Sequence, residues 1–205
     1  ERLAALKTVD GKPVEIALTT NGSLLAAKAR SLRDAGLSRV TVSLDALDDA
    51  MFRRMSDADV PVSRVLAGIE AAQAAGLAPV KVNAVPVRGV NDDEITDLTV
   101  FAIENGYRMR FIESMPLDAH QAWDRDSMIS AAEILDRLTQ RFDLEPIGRH
   151  DNAPAEEWRI VGTRASAATG NANGATVGVI ASVTRAFCGS CDRVRLTADG
   201  QVRNC

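Results

Sequence analysis

The chain has 205 residues, of which 46% are hydrophobic, enough for the core of one large domain or two small ones. Its net charge is −4 and only 4% of its residues are aromatic, which disfavours a nucleic-acid binder that works by electrostatics or base stacking. No apolar run reaches the ~18–20 residues of a membrane helix. Cysteines without a membrane or secretion signal predict a cytoplasmic protein, with no nucleic-acid or membrane partner.

Residues 1–142 alternate between predicted strands and predicted helices. The strands are predicted at 14–21, 39–45, 80–86 and 108–115. The helices are predicted at 24–35, 48–55, 62–75, 92–104 and 130–142, and Asn91 is the predicted N-cap of the fourth. This alternation indicates an α/β fold with a parallel sheet, either doubly wound or a piece of a barrel. No G-x-G-x-x-G or P-loop motif follows a strand, which disfavours a dinucleotide fold.

Residues 143–205 have a different pattern. Strands are predicted at 157–161 and 176–183, a loop rich in small residues at 162–175, and a hairpin around Asp199 and Gly200. A complete (β/α) barrel takes about 250 residues and eight strands. We therefore predict a partial, incomplete TIM-like (β/α) barrel of about four βα units at 1–117, followed by a β-rich C-terminal extension at 118–205.

Three of the predicted parallel strands have polar residues at every second position, where covered strands are usually apolar. The polar positions that share a strand face are Thr19 and Asn21; Thr41, Ser43 and Asp45; and Lys81 and Asn83. A lysine in a covered strand is costly without an anionic partner. The joint pattern predicts a lumen that holds a polar ligand. Taken singly, these residues also fit ordinary roles: helix caps, a Lys81–Glu113 ion pair, and a core position for Met115.

The three cysteines, Cys188, Cys191 and Cys205, have the spacing C-x2-C-x13-C. The Asp-Gly turn predicts that Ala198 pairs with Gln201, which brings the third thiol near the first two. A disulfide leaves one thiol over, and structural zinc normally takes four ligands, with no histidine in this stretch. A three-cysteine iron–sulfur cluster leaves one iron open to substrate. The zinc alternative stays open.

The same stretch is rich in arginine although the chain is acidic overall. Arg193 and Arg195 share one face of a predicted strand, and Val194 and Leu196 share the opposite face, which is predicted to be buried. Charged residues are common on solvated edge strands. Paired arginines beside a cluster instead suggest a fork for a phosphate-bearing substrate.

The pattern F-C-x-x-C-x-R-x-R, with its third cysteine after thirteen residues, resembles the C-terminal cluster motif of the GTP 3′,8-cyclase family. These are radical S-adenosylmethionine enzymes that start molybdenum cofactor biosynthesis. The barrel-strand motifs of the family also match, in order, at 19–22, 42–45, 81–83, 89–92 and 110–115. The resemblance covers nearly all of the chain but is weak at 118–182.

The resemblance implies a role for each matching residue. It implies GTP contacts for Thr19, Lys81, Arg193, Val194 and Arg195, with Thr20 as the alternative to Thr19. It implies S-adenosylmethionine contacts for Ser43 and Met115, and a second [4Fe-4S] cluster on Cys188, Cys191 and Cys205. We add the hypothesis that Arg193 or Arg195 assists by stabilising the cyclised product.

The chain departs from the family pattern in lacking the C-x3-C-x2-C loop that holds the first [4Fe-4S] cluster. We therefore expect an internal piece of a longer enzyme, inactive alone. For the intact parent, the resemblance implies GTP and S-adenosylmethionine as ligands, a reductant protein as partner, and a homodimer. Two alternatives remain: a zinc-binding interaction module on a partial barrel, and an aldolase-type barrel that uses Lys81 as a Schiff-base amine.

Overall fold

A computed structural model describes residues 1–116, 123–163 and 174–203. The strands are β1 Ala17–Thr20, β2 Arg39–Ser43, β3 Lys81–Ala84, β4 Arg108–Ile112, β5 Phe142–Gly148, β6 Glu156–Thr163, β7 Thr176–Ile180, β8 Arg195–Leu196 and β9 Val202–Arg203. The α-helices are α1 Leu25–Asp34, α2 Asp49–Ser56, α3 Val62–Ala74, α4 Glu94–Glu104 and α5 Ala131–Thr139. Short 3-10 turns lie at Leu3–Ala5, Arg125–Ser127 and Cys188–Ser190. The predicted strand–helix units are therefore present.

Seven strands form one mixed sheet in the order β1-β2-β3-β4-β7-β6-β5. Strands β1 to β4 and β7 run parallel, and β6 and β5 continue the sheet antiparallel. The predicted α/β class is confirmed, and the C-terminal strands extend the same sheet because β7 pairs directly with β4. Barrel closure and the division at 117/118 stay predictions. Among the described residues, no helix is both long and apolar enough to cross a bilayer.

One face of the parallel strands is apolar and fully covered, because alternate residues point to opposite faces. Its buried residues include Val40, Val42, Val82, Met109 and Phe111, which are at most 1% exposed. The helices pack on this face in one continuous core. The intervening residues of β2 and β3 are only partly buried and face the other side of the sheet.

Two glycines let α1 and α3 pack closely beside the end of β1. A Cβ on Gly68 of α3 would lie 2.7 Å from the carbonyl oxygen of Gly22. Gly22 itself has φ +76°, and a Cβ there would lie 2.9 Å from a methyl of Val42 and of Val65. The turn after β1 therefore packs closely against both β2 and α3.

The predicted N-cap role of Asn91 is wrong. Helix α4 begins at Glu94, and the Asn91 side chain is buried instead. Its Oδ1 accepts a hydrogen bond from Val87 N at 2.7 Å, and its Nδ2 donates to the carbonyls of Asp45 and Val85 at 2.8 and 3.2 Å. Asn91 provides hydrogen-bond partners for backbone groups where β2 and β3 end. The need of these buried groups for partners outweighs the preference of asparagine for an N-cap.

The predicted register of the C-terminal hairpin is wrong by one residue. The observed pairs are Arg195 with Arg203 and Leu196 with Val202. The backbone N–H of Thr197 donates to the Gln201 carbonyl, and the Thr197 hydroxyl accepts from Gln201 N at 3.0 Å. Three residues therefore form the loop instead of two, and Ala198 does not pair with Gln201. The Thr197 side chain holds the longer loop in place.

The predicted burial of Val194 and Leu196 is also wrong. Their exposed fractions are 67% and 74%. Strands β8 and β9 form a separate two-stranded sheet, so the described part of the chain does not cover this face.

The end of the predicted fifth helix belongs to a strand. Helix α5 begins with a capping box between Ser130 and Glu133 and ends at Thr139, and Phe142 begins β5. Strand β5 was not predicted, because Pro146 interrupts its pattern. Of the predicted loop at 162–175, residues 162–163 belong to β6, and 164–173 lie outside the described residues.

Candidate active site

The predicted polar residues lie in two rows across one face of the sheet. The first row consists of Thr19, Thr41, Lys81 and Arg108, which are register partners on β1 to β4. The second row consists of Ser43, Asn83, Arg110, Gly178 and Glu157. Residues two apart on one strand share a face, so both rows line the same surface. The predicted common face is confirmed as geometry for Thr19, Thr41, Ser43, Lys81 and Asn83, whereas Asn21 and Asp45 lie beyond the ends of β1 and β2.

The two threonines that end β1 differ in their surroundings. Thr20 Oγ1 accepts a hydrogen bond from Gly22 N at 3.1 Å, which uses the hydroxyl locally. Thr19 is exposed and lies in register with Thr41, beside Lys81. Thr19 is therefore the threonine on the polar face.

Lys81 lies near three arginines, of which Arg39 is paired with Glu15 and Arg110 with Glu157. Burial is the largest cause of its lowered pKa of about 8, followed by the charges of Arg110, Arg39 and Arg108, while Glu157 acts in the opposite direction. The alternative ion pair with Glu113 is wrong, because that carboxylate is bound elsewhere. A half-buried ammonium group with three arginines around it favours an anionic ligand.

Arg110 is a site residue that the sequence analysis did not single out. Its guanidinium lies 3.7 Å from the Glu157 carboxylate, and both side chains are only 14% exposed. Gly178 leaves room for it, since a Cβ there would lie 3.2 Å from Arg110 Cγ. Burying a cation costs free energy, and this argument, which singled out Lys81, applies equally to Arg110.

The predicted S-adenosylmethionine residues lie at or beyond strand ends. Ser43 is the last residue of β2, on the polar face. Met115 is half-buried and lies three residues beyond the end of β4, so the predicted strand at 108–115 is too long. Near Ser43, the Asp45 carboxylate accepts from Val85 N at 2.7 Å, and burial raises its pKa.

Glu113 is a second residue that the sequence analysis missed in its actual role. It is fully buried just beyond β4, and its carboxylate accepts four hydrogen bonds. The donors are Ala131 N at the start of α5, and Val183 N, Thr184 N and Thr184 Oγ1 beyond β7. Burial raises its pKa, but the four hydrogen bonds outweigh burial and the pKa is lowered. Glu113 thus joins the end of β4 to the segment that leads to the cysteines.

Cys188 and Cys191 lie together in a 3-10 turn, in which Cys191 N donates to the Cys188 carbonyl at 3.2 Å. Cys188 is exposed and Cys191 half-buried, and both are free thiols. Cys205 lies outside the described residues. Within the described ranges, no three His, Cys, Asp or Glu side chains are grouped so as to hold a metal. Two adjacent thiols nevertheless offer the soft ligands that iron–sulfur clusters take.

The arginines that follow the cysteines have different environments. Arg193 is partly buried and contacts the Cys191 sulfur, whereas Arg195 is exposed in β8. Val194, between them, is also exposed.

Two family models together match almost the whole chain. The model of the Radical SAM superfamily matches residues 1–102, and that of Molybdenum Cofactor Synthesis C matches 107–205. A GTP 3′,8-cyclase of Mycolicibacterium smegmatis is 50% identical over 208 residues, with 100% of this chain and 55% of that protein covered. The chain belongs to the GTP 3′,8-cyclase family.

Two further GTP 3′,8-cyclases show the same extent of similarity. The protein of Streptomyces coelicolor is 48% identical, with 100% of this chain and 56% of the relative covered. That of Corynebacterium glutamicum (strain ATCC 13032) is 47% identical, with 98% and 52% covered. The chain thus spans about half the length of the curated GTP 3′,8-cyclases that it matches.

Proposed function

We propose that this chain is the nucleotide-binding and second-cluster part of an enzyme that converts GTP to 3′,8-cyclo-7,8-dihydro-GTP, the first step of molybdenum cofactor biosynthesis. The observation that carries the proposal is the cationic face around Lys81, in a chain whose relatives are named GTP 3′,8-cyclases. This sequence contains no P-loop motif, and we assign the triphosphate to lysine and arginine charges.

The GTP site that we propose comprises Thr19, Lys81, Arg193, Val194 and Arg195. The pairing of Thr19 with Thr41, which neighbours Lys81, supports a common surface for the nucleotide. Charge-assisted hydrogen bonds from lysine and arginine suit phosphate oxygens, and the Arg fork adds orientation. These residues hold the nucleotide in position, and positioning is the protein's main contribution to a radical reaction.

The S-adenosylmethionine site that we propose includes Ser43 and Met115, beside the same polar face. When bound and cleaved to methionine by one electron from the first cluster of the intact parent, S-adenosylmethionine would supply the 5′-deoxyadenosyl radical that takes hydrogen from C3′ of GTP. Asn91 supports this region, because its amide bridges the backbone of Asp45 and Val85 where the strands end. The protein therefore fixes the distance between the two ligands through backbone contacts as well as side chains.

A second [4Fe-4S] cluster on Cys188, Cys191 and Cys205 completes the proposed site. With three thiolate ligands, one iron is left for the substrate, and Arg193 or Arg195 can assist there. These are all the cysteines of the chain, so they serve one cluster at most. We therefore infer that the 205 residues alone are inactive in S-adenosylmethionine cleavage, and that the first cluster belongs to the intact parent.

We further propose that the intact parent is a cytoplasmic homodimer that takes its electron from a reductant protein. The soft thiol ligands of its clusters require a reducing environment, which supports the cytoplasmic assignment. Size-exclusion chromatography with light scattering on the intact parent tests the dimer, and a monomer at all concentrations would contradict it.

The test is the iron, sulfide and zinc content of the anaerobically reconstituted chain, with its visible spectrum. We expect about four irons and four sulfides per chain and brown absorption. The Cys188→Ser variant is expected to lose them, whereas Ser182→Ala, which removes a hydroxyl outside the cysteine motif, should keep them. Zinc without iron would contradict the proposal and favour a zinc-binding interaction module.

A further inference from the structure

The guanidinium of Arg193 lies between a cysteine sulfur and the turn that joins β5 to β6. Its Nη1 donates to Cys191 Sγ at 3.4 Å, and its Nη2 donates to the carbonyl of Asn152 at 3.0 Å. The Asn152 side chain in turn donates to the Asp192 carboxylate at 3.1 Å. We call residues 149–153, which include Asn152, the support turn. It fixes both residues that follow Cys191.

The support turn also contacts the residue that precedes the first cysteine. The guanidinium carbon of Arg149 lies 5.2 Å from the ring centroid of Phe187, and that of Arg193 lies 5.5 Å from it. A guanidinium over an aromatic ring is attracted to the negative face of the ring. The turn therefore touches the cysteine pair on both sides, and it fixes where the Arg193 guanidinium lies.

A guanidinium beside a cluster thiolate has a definite electronic effect. Reduction of an iron–sulfur cluster adds one negative charge, which a nearby positive charge and an N–H donor stabilise. Hydrogen bonds to the sulfurs are among the features that set the reduction potential of such clusters. Arg193 is therefore placed to raise the potential of a cluster that Cys191 binds.

Arg195 has a different environment, although it is only two residues away. It is exposed, and its register partner is Arg203 on the neighbouring strand of the hairpin. Two arginines side by side in this way form a cationic surface that suits phosphate groups. The two arginines of the motif thus present their charges to different neighbours.

We propose that Arg193, a member of the proposed GTP site, also acts as a positioning residue that orients and tunes the C-terminal cluster through Cys191, held there by the support turn, and that Arg195 has no such effect on the cluster. This inference rests on the proposed function, since it requires the cluster. It refines that function by giving Arg193, and not Arg195, a second role at the cluster.

The test compares Arg193→Met with its matched control Arg195→Met in the full-length reconstituted protein. The midpoint potential is measured by a redox titration followed by electron paramagnetic resonance. The C-terminal cluster is identified as the signal that Cys188→Ser removes. We expect Arg193→Met to shift its midpoint potential to more negative values, with iron content unchanged. Arg195→Met should leave the potential unchanged and weaken binding of inorganic triphosphate at least tenfold.

A third variant keeps the test decisive if Arg193→Met loses iron. Arg193→Lys retains the positive charge but not the planar fork, so we expect it to keep the cluster with a smaller negative shift. Equal potentials in wild type and in both Arg193 variants, with iron present, would overturn this inference and leave the proposed function standing. An equal shift in Arg195→Met would overturn the division of roles. A wild-type protein that takes up no iron would overturn the proposed function itself.

Discussion

At the scale of single residues, Lys81 makes ligand binding dependent on pH. Its pKa of about 8, lowered by burial and by three arginines, means that it is charged below pH 8 and neutral above. An anion binds the charged form, so affinity should fall as the pH rises through 8. A lost charge-assisted hydrogen bond weakens binding by roughly ten- to hundredfold. Titration calorimetry with inorganic triphosphate between pH 7 and 9 measures this.

The matched variant is Lys81→Arg, because a guanidinium stays protonated over this range. We expect its affinity for triphosphate to change much less between pH 7 and 9 than that of wild type. An identical pH dependence in the two proteins would show that another group titrates and that Lys81 does not hold the phosphates.

Glu113 is the residue whose loss should reduce stability most directly. In Glu113→Gln, one carbonyl oxygen replaces two acceptors, so two of the four donors lose their partner. We expect a decrease of about 2–6 kcal/mol in the free energy of unfolding, measured with urea. Glu104→Gln, on the exposed end of α4, is the control and should change it by less than about 0.5 kcal/mol.

The lowered pKa of Glu113 gives the sign of its pH effect. Burial raises this pKa, but the hydrogen bonds bring it below the ordinary value of 4.5. The folded state therefore binds this proton less tightly than the unfolded state, so the stabilisation is present above pH 4.5 and is lost below it. Glu113→Gln should lack this part of the acid dependence. An unchanged acid-unfolding profile would contradict the assignment.

At the scale of elements, the contact between α1 and α3 depends on the absence of a side chain at Gly68. Alanine normally favours a helix over glycine by about 1 kcal/mol. Here its Cβ would lie 2.7 Å from a backbone oxygen of Gly22, which cannot move aside as a flexible side chain can. We expect Gly68→Ala to destabilise the protein by about 1–3 kcal/mol, measured by urea unfolding. Gln73→Ala, on the exposed face of α3, is the control, and equal effects would contradict the argument.

The parallel strands could be predicted from the sequence because the alternation of apolar and polar residues along each strand is a local pattern. Val40 and Val42 point to the helices, whereas Thr41 and Ser43 point to the other face, and period two alone separates them. The pairing of the strands, and with it the row that contains Lys81, followed from their chain order and short links.

Other features could not be predicted because long-range contacts determine them. The Asn91 side chain is buried because it donates to the carbonyls of Asp45 and Val85, just beyond β2 and β3. The local sequence around Asn91 does not reveal these partners. The four donors around Glu113 come from segments up to 71 residues away. At the hairpin, the side chain of Thr197 outweighs the two-residue preference of Asp-Gly, which shifts the register by one.

At the scale of the whole molecule, the C-terminal hairpin of β8 and β9 should be the part of the described chain that is least protected from hydrogen exchange. Val194, Leu196 and Val202 are 67–74% exposed, and β8 and β9 pair only with each other. Amides of such elements open at low free-energy cost, unlike those of β2 and β3 within the sheet. Hydrogen exchange followed by mass spectrometry should show fast exchange at 195–203, slowed once iron is bound. Protection equal to that of β3 without iron would contradict this.

The Glu113 contacts have a consequence for the order of events during synthesis. The carboxylate emerges from the ribosome 70 residues before Val183, one of its donors. At translation rates of about 5–20 residues per second, this delay lasts roughly 4–14 s. Through that interval the carboxylate lacks its donors from Val183 and Thr184, and β4 lacks β7 as its neighbour. The segment that leads to the cysteines therefore docks onto Glu113 only after β1 to β4 have left the ribosome.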